Sequence, residues 1–256
     1  MESVAYLINT TPKYFYLLRL HLTCLFRYSS IHSVFLATEA HDHPTILSLK
    51  TEFPQITIIP LTQAQDGFFE SRAAAVRALP ANYTIILPMQ DDFILEARPD
   101  LSAAIHLFID PAVASVRVMP CPRPSPDASS YKDHWKVLEF SQNDYVFTYQ
   151  ATLWRRNVYQ TFMDELITAV TADFGTDLTS AQRAQIAIRH NYAEVAQGQA
   201  LLQNVTKELL HLSCPRAGPQ PNAVYLAPWP YRPTAVVHGR LEQWAIELAD
   251  RECVKL

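Results

Sequence analysis

The stretch YTIILPMQDDFIL, residues 83–95, decides how this chain reads. Tyr83 to Leu87 is an apolar run of strand length, and two adjacent carboxylates, Asp91 and Asp92, follow before the chain turns apolar again. A rigid strand that delivers paired acids to its C-terminal end suits a hard divalent cation, because carboxylate oxygens are the ligands such ions prefer. That end is also where open α/β sheets bind their ligands. A solvated turn is the commoner setting for two such acids, so the surrounding order has to carry the choice.

Upstream, short apolar runs alternate with helix-like segments. Residues 4–8 (VAYLI), 33–37 (SVFLA) and 56–61 (ITIIPL) read as buried strands, each bounded by polar residues or proline. Residues 12–28, 43–53 and 69–79 have helical length and periodicity, with Pro12 and Pro44 at first-turn positions. Strands alternating with helices of that size predict crossover units and a mainly parallel sheet. Its C-terminal edge then displays Asn9 and Thr10, Thr38 and Glu39, the loop 62–67, and the acid pair.

Downstream, residues 98–110 read as a helix and 115–119 as a strand. The Pro- and Ser-rich segment 120–133 reads as a long loop able to act as a lid. Residues 135–140 and 145–148 read as an antiparallel strand pair, and TYQATLWRRNVYQTFMDELI, residues 148–167, opens a helical section running to about 212. Residues 234–237 (TAVV) read as a late strand ending at His238, and 241–252 as a closing helix. With no internal repeat, residues 1–256 read as a single α/β unit.

The chain has 256 residues, 49% of them hydrophobic and 18% charged, the composition of a globular protein with a sizeable core. A formal charge of −4 and no Lys/Arg-rich run give no footprint for nucleic acid. The first residues lack the basic and long apolar regions of a secretory signal, and no stretch approaches the roughly twenty apolar residues of a spanning helix. Cys24, Cys121, Cys214 and Cys253 have no metal-like spacing and read as reduced thiols, which fits a cytoplasmic setting. Asn82 and Asn204 head triplets of the glycosylation pattern, but nothing else argues for secretion.

In order, four features resemble a nucleotide-sugar glycosyltransferase of the GT-A fold, closest to the family-2-like enzymes. VAYLINTT resembles its first strand and nucleotide-facing tip, DGFFESRAAAVRAL its glycine-containing loop and following helix, ILPMQDDF its acidic metal motif, and TAVVHG its late strand with a metal-binding histidine. The resemblance implies a Rossmann-like, mainly parallel sheet flanked by helices, with a nucleotide-sugar-binding half at 1–110 and a helical, loop-rich acceptor-side half at 111–256. It also implies transfer of a hexosyl or pentosyl unit from a nucleotide-diphosphate sugar to a hydroxyl of a glycan or related acceptor, by inversion in the family-2-like pattern.

Such a donor leaves as a diphosphate, so a site for it must neutralise charge growing on the β-phosphate. A bound Mn²⁺ or Mg²⁺ does so and orients the donor. By resemblance, Asp92 is the direct metal ligand, His238 a second one, and Asp91 binds the donor ribose or the ion through water. Gln90 stands where a strict DxD pattern has its first acid, which leaves two-carboxylate coordination open. Arg72 is placed to fork onto a phosphate or hold the acidic loop; its alternative is a surface arginine on an Ala-rich helix. The resemblance also implies that Thr10 and Glu39, at the ends of the first two strands, face nucleobase and ribose. His41, Asp42 and His43 are adjacent in one loop and read as a polar cap for the helix at Pro44, with Asp42 or His43 as the capping residue.

An inverting transfer also needs a carboxylate to take the acceptor proton. The resemblance points to Glu194 in HNYAEVAQGQALL, with Glu165, Asp173 and Asp177 as competitors. Trp154 and Trp135 are candidate platforms for an acceptor sugar, since aromatic faces pack on pyranose C–H surfaces, though tryptophans are more often core. Two other classes stay open: a sugar-phosphate nucleotidyltransferase, which the lack of a glycine-rich loop after the first strand disfavours, and a non-catalytic nucleotide-sugar binder in which Gln90 marks lost metal binding.

Overall fold

A computed structural model describes residues 3–31, 33–62, 67–142, 145–174, 192–215, 226–232 and 234–256. The first part of the chain folds as its periodicity predicts. Strand β1 (Ser3–Asn9) leads through a 3₁₀ turn (Pro12–Tyr14) into α1 (Phe15–Tyr28), and β2 (Val34–Thr38) leads into α2 (Pro44–Glu52). Then β3 (Ile56–Pro60), α3 (Phe68–Ala78) and β4 (Tyr83–Gln90) complete the alternation. His43 caps α2, its Nδ1 accepting from Thr45 N at 3.2 Å, so the cluster 41–43 is a helix start.

Further elements are β5 (Ile94–Leu95), α4 (Ser102–His106), β6 (Val113–Arg117), β7 (Ser130–Tyr131), β8 (Trp135–Val137), β9 (Thr152–Arg155) and α5 (Arg156–Phe174). They are followed by α6 (Ala196–Thr206), β10 (Leu210–Ser213), β11 (Tyr231–Arg232), β12 (Val236–Val237), β13 (Arg240–Leu241) and α7 (Gln243–Arg251). The main sheet has nine strands in the order β3-β2-β1-β4-β9-β6-β10-β8-β7. The pairings of β3, β2, β1 and β4 are all parallel, while β9 runs antiparallel to both β4 and β6. This is a Rossmann-like, mixed but mostly parallel α/β sheet, and it runs continuously through both halves of the chain.

The sheet is buried on both faces, which is why its strands read as unbroken apolar runs. On β1, Tyr6 and Ile8 pack with Leu18, Leu22 and Leu25 of α1 and with Ile46 and Leu49 of α2. The alternate residues Ala5 and Leu7 pack on the opposite face with Phe69, Ala73 and Val76 of α3 and Phe162 and Leu166 of α5. Helix α7 covers α1 through Ala245, Leu248 and Ala249 against Leu17, Leu20 and Cys24.

Several expectations for the second half need correction. Residues 152–155 are not helical: Leu153 and Trp154 are buried in a central strand, and a four-residue strand running directly into a helix has too short a period to show. Residues 145–148 form no strand, and β8 pairs with β7 and β10 instead. Segment 120–133 is no lid, because it is pinned: Arg117 Nη1 donates to Pro122 O at 2.9 Å, Lys136 Nζ to Ala128 O at 3.1 Å, and Tyr131 and Ser130 join the sheet. Val236 and Val237 pair with Arg240 and Leu241 in a tight hairpin, so His238 sits on a turn with φ +49° and not at the end of a sheet strand.

Candidate functional site

A cleft of about 330 Å³ opens at the C-terminal ends of the parallel strands. Its walls are Asn9 and Thr10 from β1, Ala37 and Glu39 from the end of β2, Leu61 after β3, and Gln90, Asp91 and Asp92 from the end of β4. The start of α3 and the 3₁₀ turn before α1 close it, with Phe68, Ser71 and Arg72 on one side and Lys13 and Tyr14 on the other. The topology therefore gathers five sequence-nominated residues, Thr10, Glu39, Arg72, Asp91 and Asp92, into one place.

The two acids are held differently. Asp91 is buried, and the Thr10 hydroxyl donates to its Oδ2 at 2.7 Å. Burial pushes its pKa up to about 7; the Thr10 hydrogen bond pulls against this, the Asp92 charge adds to it, and the Arg72 charge opposes it. Asp92 is half-buried, and burial pushes its carboxyl up to about 6. Its Oδ1 is buried with no hydrogen-bond partner among the described residues. An orphaned carboxylate oxygen is costly, and at a cleft wall it marks a place where a cation or donor group is needed.

The turn carrying these acids is fixed from behind. Phe93 N closes it on Gln90 O at 3.2 Å, and Ala235 N donates to Asp92 O at 3.0 Å. His21 Nδ1 lies 3.1 Å from Asp91 O and its Nε2 2.8 Å from Tyr6 Oη. A carbonyl can only accept, so the proton is on Nδ1 and Tyr6 donates to Nε2. Burial lowers the His21 pKa to about 4, which keeps that ring neutral. In the sequence His21 is a lone histidine between Leu20 and Leu22, with nothing local to mark it.

Arg72 lies over the Phe68 ring at 3.6 Å, and its Nη1 donates to Phe68 O at 3.1 Å. Among the described residues no carboxylate pairs with it, and none pairs with Lys13, so the cleft holds two cations besides the carboxylates of Glu39, Asp91 and Asp92. A small pocket continues from the cleft past Asn9, Arg72 and Gln90 to Thr148, Tyr149 and Gln150. It opens because β9 stays with β4 only at Ile85 and Ile86, and Pro88, with no N–H to offer, follows where the partner strand has left.

The other nominated residues stand elsewhere. Trp135 is 4% exposed and Trp154 1%, with Trp154 packed among Phe147, Tyr159 and His211; both are core rings, although Trp154 also borders the small pocket. Neither presents a face to an acceptor, because a ring that size is worth more buried in a sheet interior. His238 is exposed on its hairpin and does not line the cleft. Glu194 lies outside the cleft wall, its Oε1 accepting from the Thr148 hydroxyl at 2.8 Å and from Tyr149 N at 2.9 Å. Glu165 and Asp173 are on α5, and Asp177 and residues 63–66 lie outside the described residues. Lys13, Tyr14 and Ser71 line the cleft without having been nominated; Lys13, just past the tip of β1, was the one such residue with a readable signal.

Mg²⁺ commonly binds through one or two carboxylates plus substrate phosphates and water. The orphaned Asp92 Oδ1 beside Asp91 fits that mode. It does not fit a cage built from protein alone: among the described residues no three His, Cys, Asp or Glu side chains are grouped to hold a metal.

No protein-family model matches the chain, and no curated protein matches it. Among solved structures it is similar to S. aureus TarS in complex with UDP, with TM-score 0.47 and 10% identity over 79% of this chain and 70% of that one. It is similar to the glycosyltransferase GlyE of Streptococcus pneumoniae, with TM-score 0.47 and 12% identity over 76% of this chain and 44% of that one. A third is 4-diphosphocytidyl-2C-methyl-D-erythritol synthase of Anaerococcus prevotii, with TM-score 0.42 and 9% identity over 80% and 95%. At such identities the likeness concerns the course of the chain alone. Among the described residues no helix is long and apolar enough to cross a membrane.

Proposed function

We propose that the chain is a glycosyltransferase that moves a sugar from a nucleotide-diphosphate sugar to a hydroxyl acceptor, assisted by a divalent cation. The observation that carries this reading is Asp92, whose buried Oδ1 is unpartnered among the described residues, on the wall of a cleft at the strand ends that Arg72 and Lys13 also line. Opposite charges set around one cavity suit a ligand that is itself an anion carrying a cation.

In this reaction the acceptor oxygen bonds to the anomeric carbon as the bond from that carbon to the β-phosphate oxygen breaks. The hydroxyl proton passes to a base, and the nucleoside diphosphate leaves with the electron pair. Arg72 and Lys13 are assigned to the diphosphate, Glu39 to the nucleoside, and Asp92, with Asp91 behind it, to Mn²⁺ or Mg²⁺. The ion, when bound, supplies Lewis-acid stabilisation of the leaving diphosphate. Thr10 holds Asp91 and with it the shape of the acid turn. Inversion at the anomeric carbon is part of the proposal.

The nucleotidyltransferase alternative differs in its products, since it would release pyrophosphate, and the binder alternative would release nothing. Thr10, Thr11, Pro12 and Lys13 follow β1, with no glycine-rich phosphate loop, which favours the transferase. Two incubations with Mn²⁺ followed by phosphorus NMR separate the three, one with a panel of nucleotide sugars and one with nucleoside triphosphates and sugar 1-phosphates. Release of nucleoside diphosphate supports the proposal, and pyrophosphate or no product contradicts it.

A further inference from the structure

Two side chains from one short stretch hold the loop that precedes β9. The Gln199 carboxamide pairs with both backbone groups of Phe147: Phe147 N donates to Oε1 at 3.0 Å, and Nε2 donates to Phe147 O at 2.9 Å. This imitates a strand partner where the sheet provides none. Glu194 continues the clamp on the next two residues, taking the Thr148 hydroxyl and Tyr149 N on one oxygen at 2.8 and 2.9 Å. Helix α6 is pressed onto the segment that carries Glu194. A Cβ on Gly198 would meet Tyr192 O at 2.3 Å and Ala193 Cα at 2.5 Å, so glycine is needed for the approach.

The clamped loop ends at the cleft. The Tyr149 ring meets the Phe68 ring edge to face at 5.5 Å, and Arg72 lies 3.6 Å over Phe68 and 5.7 Å from the centre of Tyr149. Tyr149 is thus the far wall of the place where the Arg72 guanidinium rests. A base for the acceptor must reach the reacting hydroxyl at hydrogen-bond distance. Glu194 is absent from the walls of both the cleft and its small extension, and its bonds point at the loop.

We propose that Glu194 is a positioning residue, with Gln199 as its companion: it fixes the Thr148–Tyr149 backbone, and through the Tyr149 ring it sets Arg72, and it takes no proton. The link to catalysis rests on the proposed transferase reading, whereas the clamp itself does not.

Glutamine at 194 keeps the accepting oxygen and loses the basicity, so E194Q, E194A and wild type are compared. Peptide-level hydrogen exchange over residues 147–150, and calorimetric titration with a nucleoside diphosphate and Mn²⁺, are measured on each. Expected are wild-type protection and affinity in E194Q, and in E194A lost protection with affinity weakened about tenfold, the scale of one lost charge-assisted contact. With a turned-over donor, E194Q keeps kcat within about threefold and an unchanged pH profile, since no titrating catalytic group has been removed. Protection that survives in E194A overturns the clamp. A kcat collapse in E194Q with protection intact makes Glu194 the base and overturns the proposal. G198A, which must push α6 off its seat, is expected to reproduce E194A. If wild type turns over no donor, the transferase reading fails, and the exchange data alone decide the clamp.

Discussion

The Thr10 hydroxyl, at the tip of β1, donates to Asp91 Oδ2, at the tip of β4, across 2.7 Å. The two strands are sheet neighbours with Asn9 opposite Gln90, so the bond continues their register one step past the last paired residues. It gives a buried acid its one side-chain donor among the described residues and turns a pair of strand ends into a rigid cleft wall.

Thr10→Val keeps the shape and removes that donor. Leaving a buried acceptor unsatisfied costs about 1–3 kcal/mol. Urea unfolding is expected to show a loss of that size, with Thr10→Ser restoring most of it. A loss under about 0.3 kcal/mol, within ordinary surface variation, would show that the bond does not matter to the fold.

The pH dependence has two opposed parts. His21 and His211 are buried and neutral, with pKa values lowered by burial from 6.5 to about 4 and about 3. Below 6.5 the unfolded chain binds protons that the folded chain refuses, so these groups cost stability as pH falls. Asp91 and Asp92 are raised from 3.8 to about 7 and about 6, so the folded chain keeps protons the unfolded chain has released, and stability falls as pH rises through that window. In chelator, D91N/D92N is expected to unfold later than wild type at about pH 8 and to lose that advantage by about pH 4. Its stability should also decline more steeply with acid than that of wild type. Parallel stability curves for the two proteins would refute the assigned shifts.

Arg72→Ala removes a guanidinium whose one hydrogen bond among the described residues is to its own helix. Stability should change little. Affinity for a nucleoside diphosphate should fall about 10- to 100-fold, the worth of a charge-assisted contact of about 1.5–3 kcal/mol, and Arg72→Lys should recover part of it. Calorimetric titration reads this directly, and an unchanged Kd would remove Arg72 from the site.

Trp154→Ala and Trp135→Ala test the reassignment of these rings to the core. Each is expected to cost about 3–5 kcal/mol in urea unfolding, as large aromatic truncations do. Trp135→Phe should fold and leave the acceptor KM unaltered. A raised KM with normal stability would restore the platform role.

How much of this was legible depends on how local the signal is. The strands β1 to β4 and their helices announced themselves because a doubly covered sheet demands long apolar runs and its crossovers demand periodic helices. Thr10, Glu39 and the acid pair followed, since parallel strands must put their ends on one edge, whereas Arg72, on a helix, came from the family resemblance. What stayed hidden depends on contacts between distant residues. Strand β9 is four residues long and owes its conformation to β4 and β6, not to its own pattern. His21 serves Asp91 from 70 positions away, and Gln199 serves Phe147 from 52. His238 looked like a strand-end ligand because a valine pair before His-Gly has the same pattern in a strand as in a hairpin.

The central claim is that Asp92 and a divalent cation together hold the diphosphate of an activated sugar. Calorimetric titration of wild type and Asp92→Ala with a panel of nucleotide-diphosphate sugars, in Mn²⁺ and in chelator, tests it most directly. The prediction is that Mn²⁺ tightens binding of at least one donor to wild type, and that Asp92→Ala, folded by circular dichroism, loses that increment. A wild-type affinity indifferent to the ion, or an increment that survives in Asp92→Ala, would contradict it.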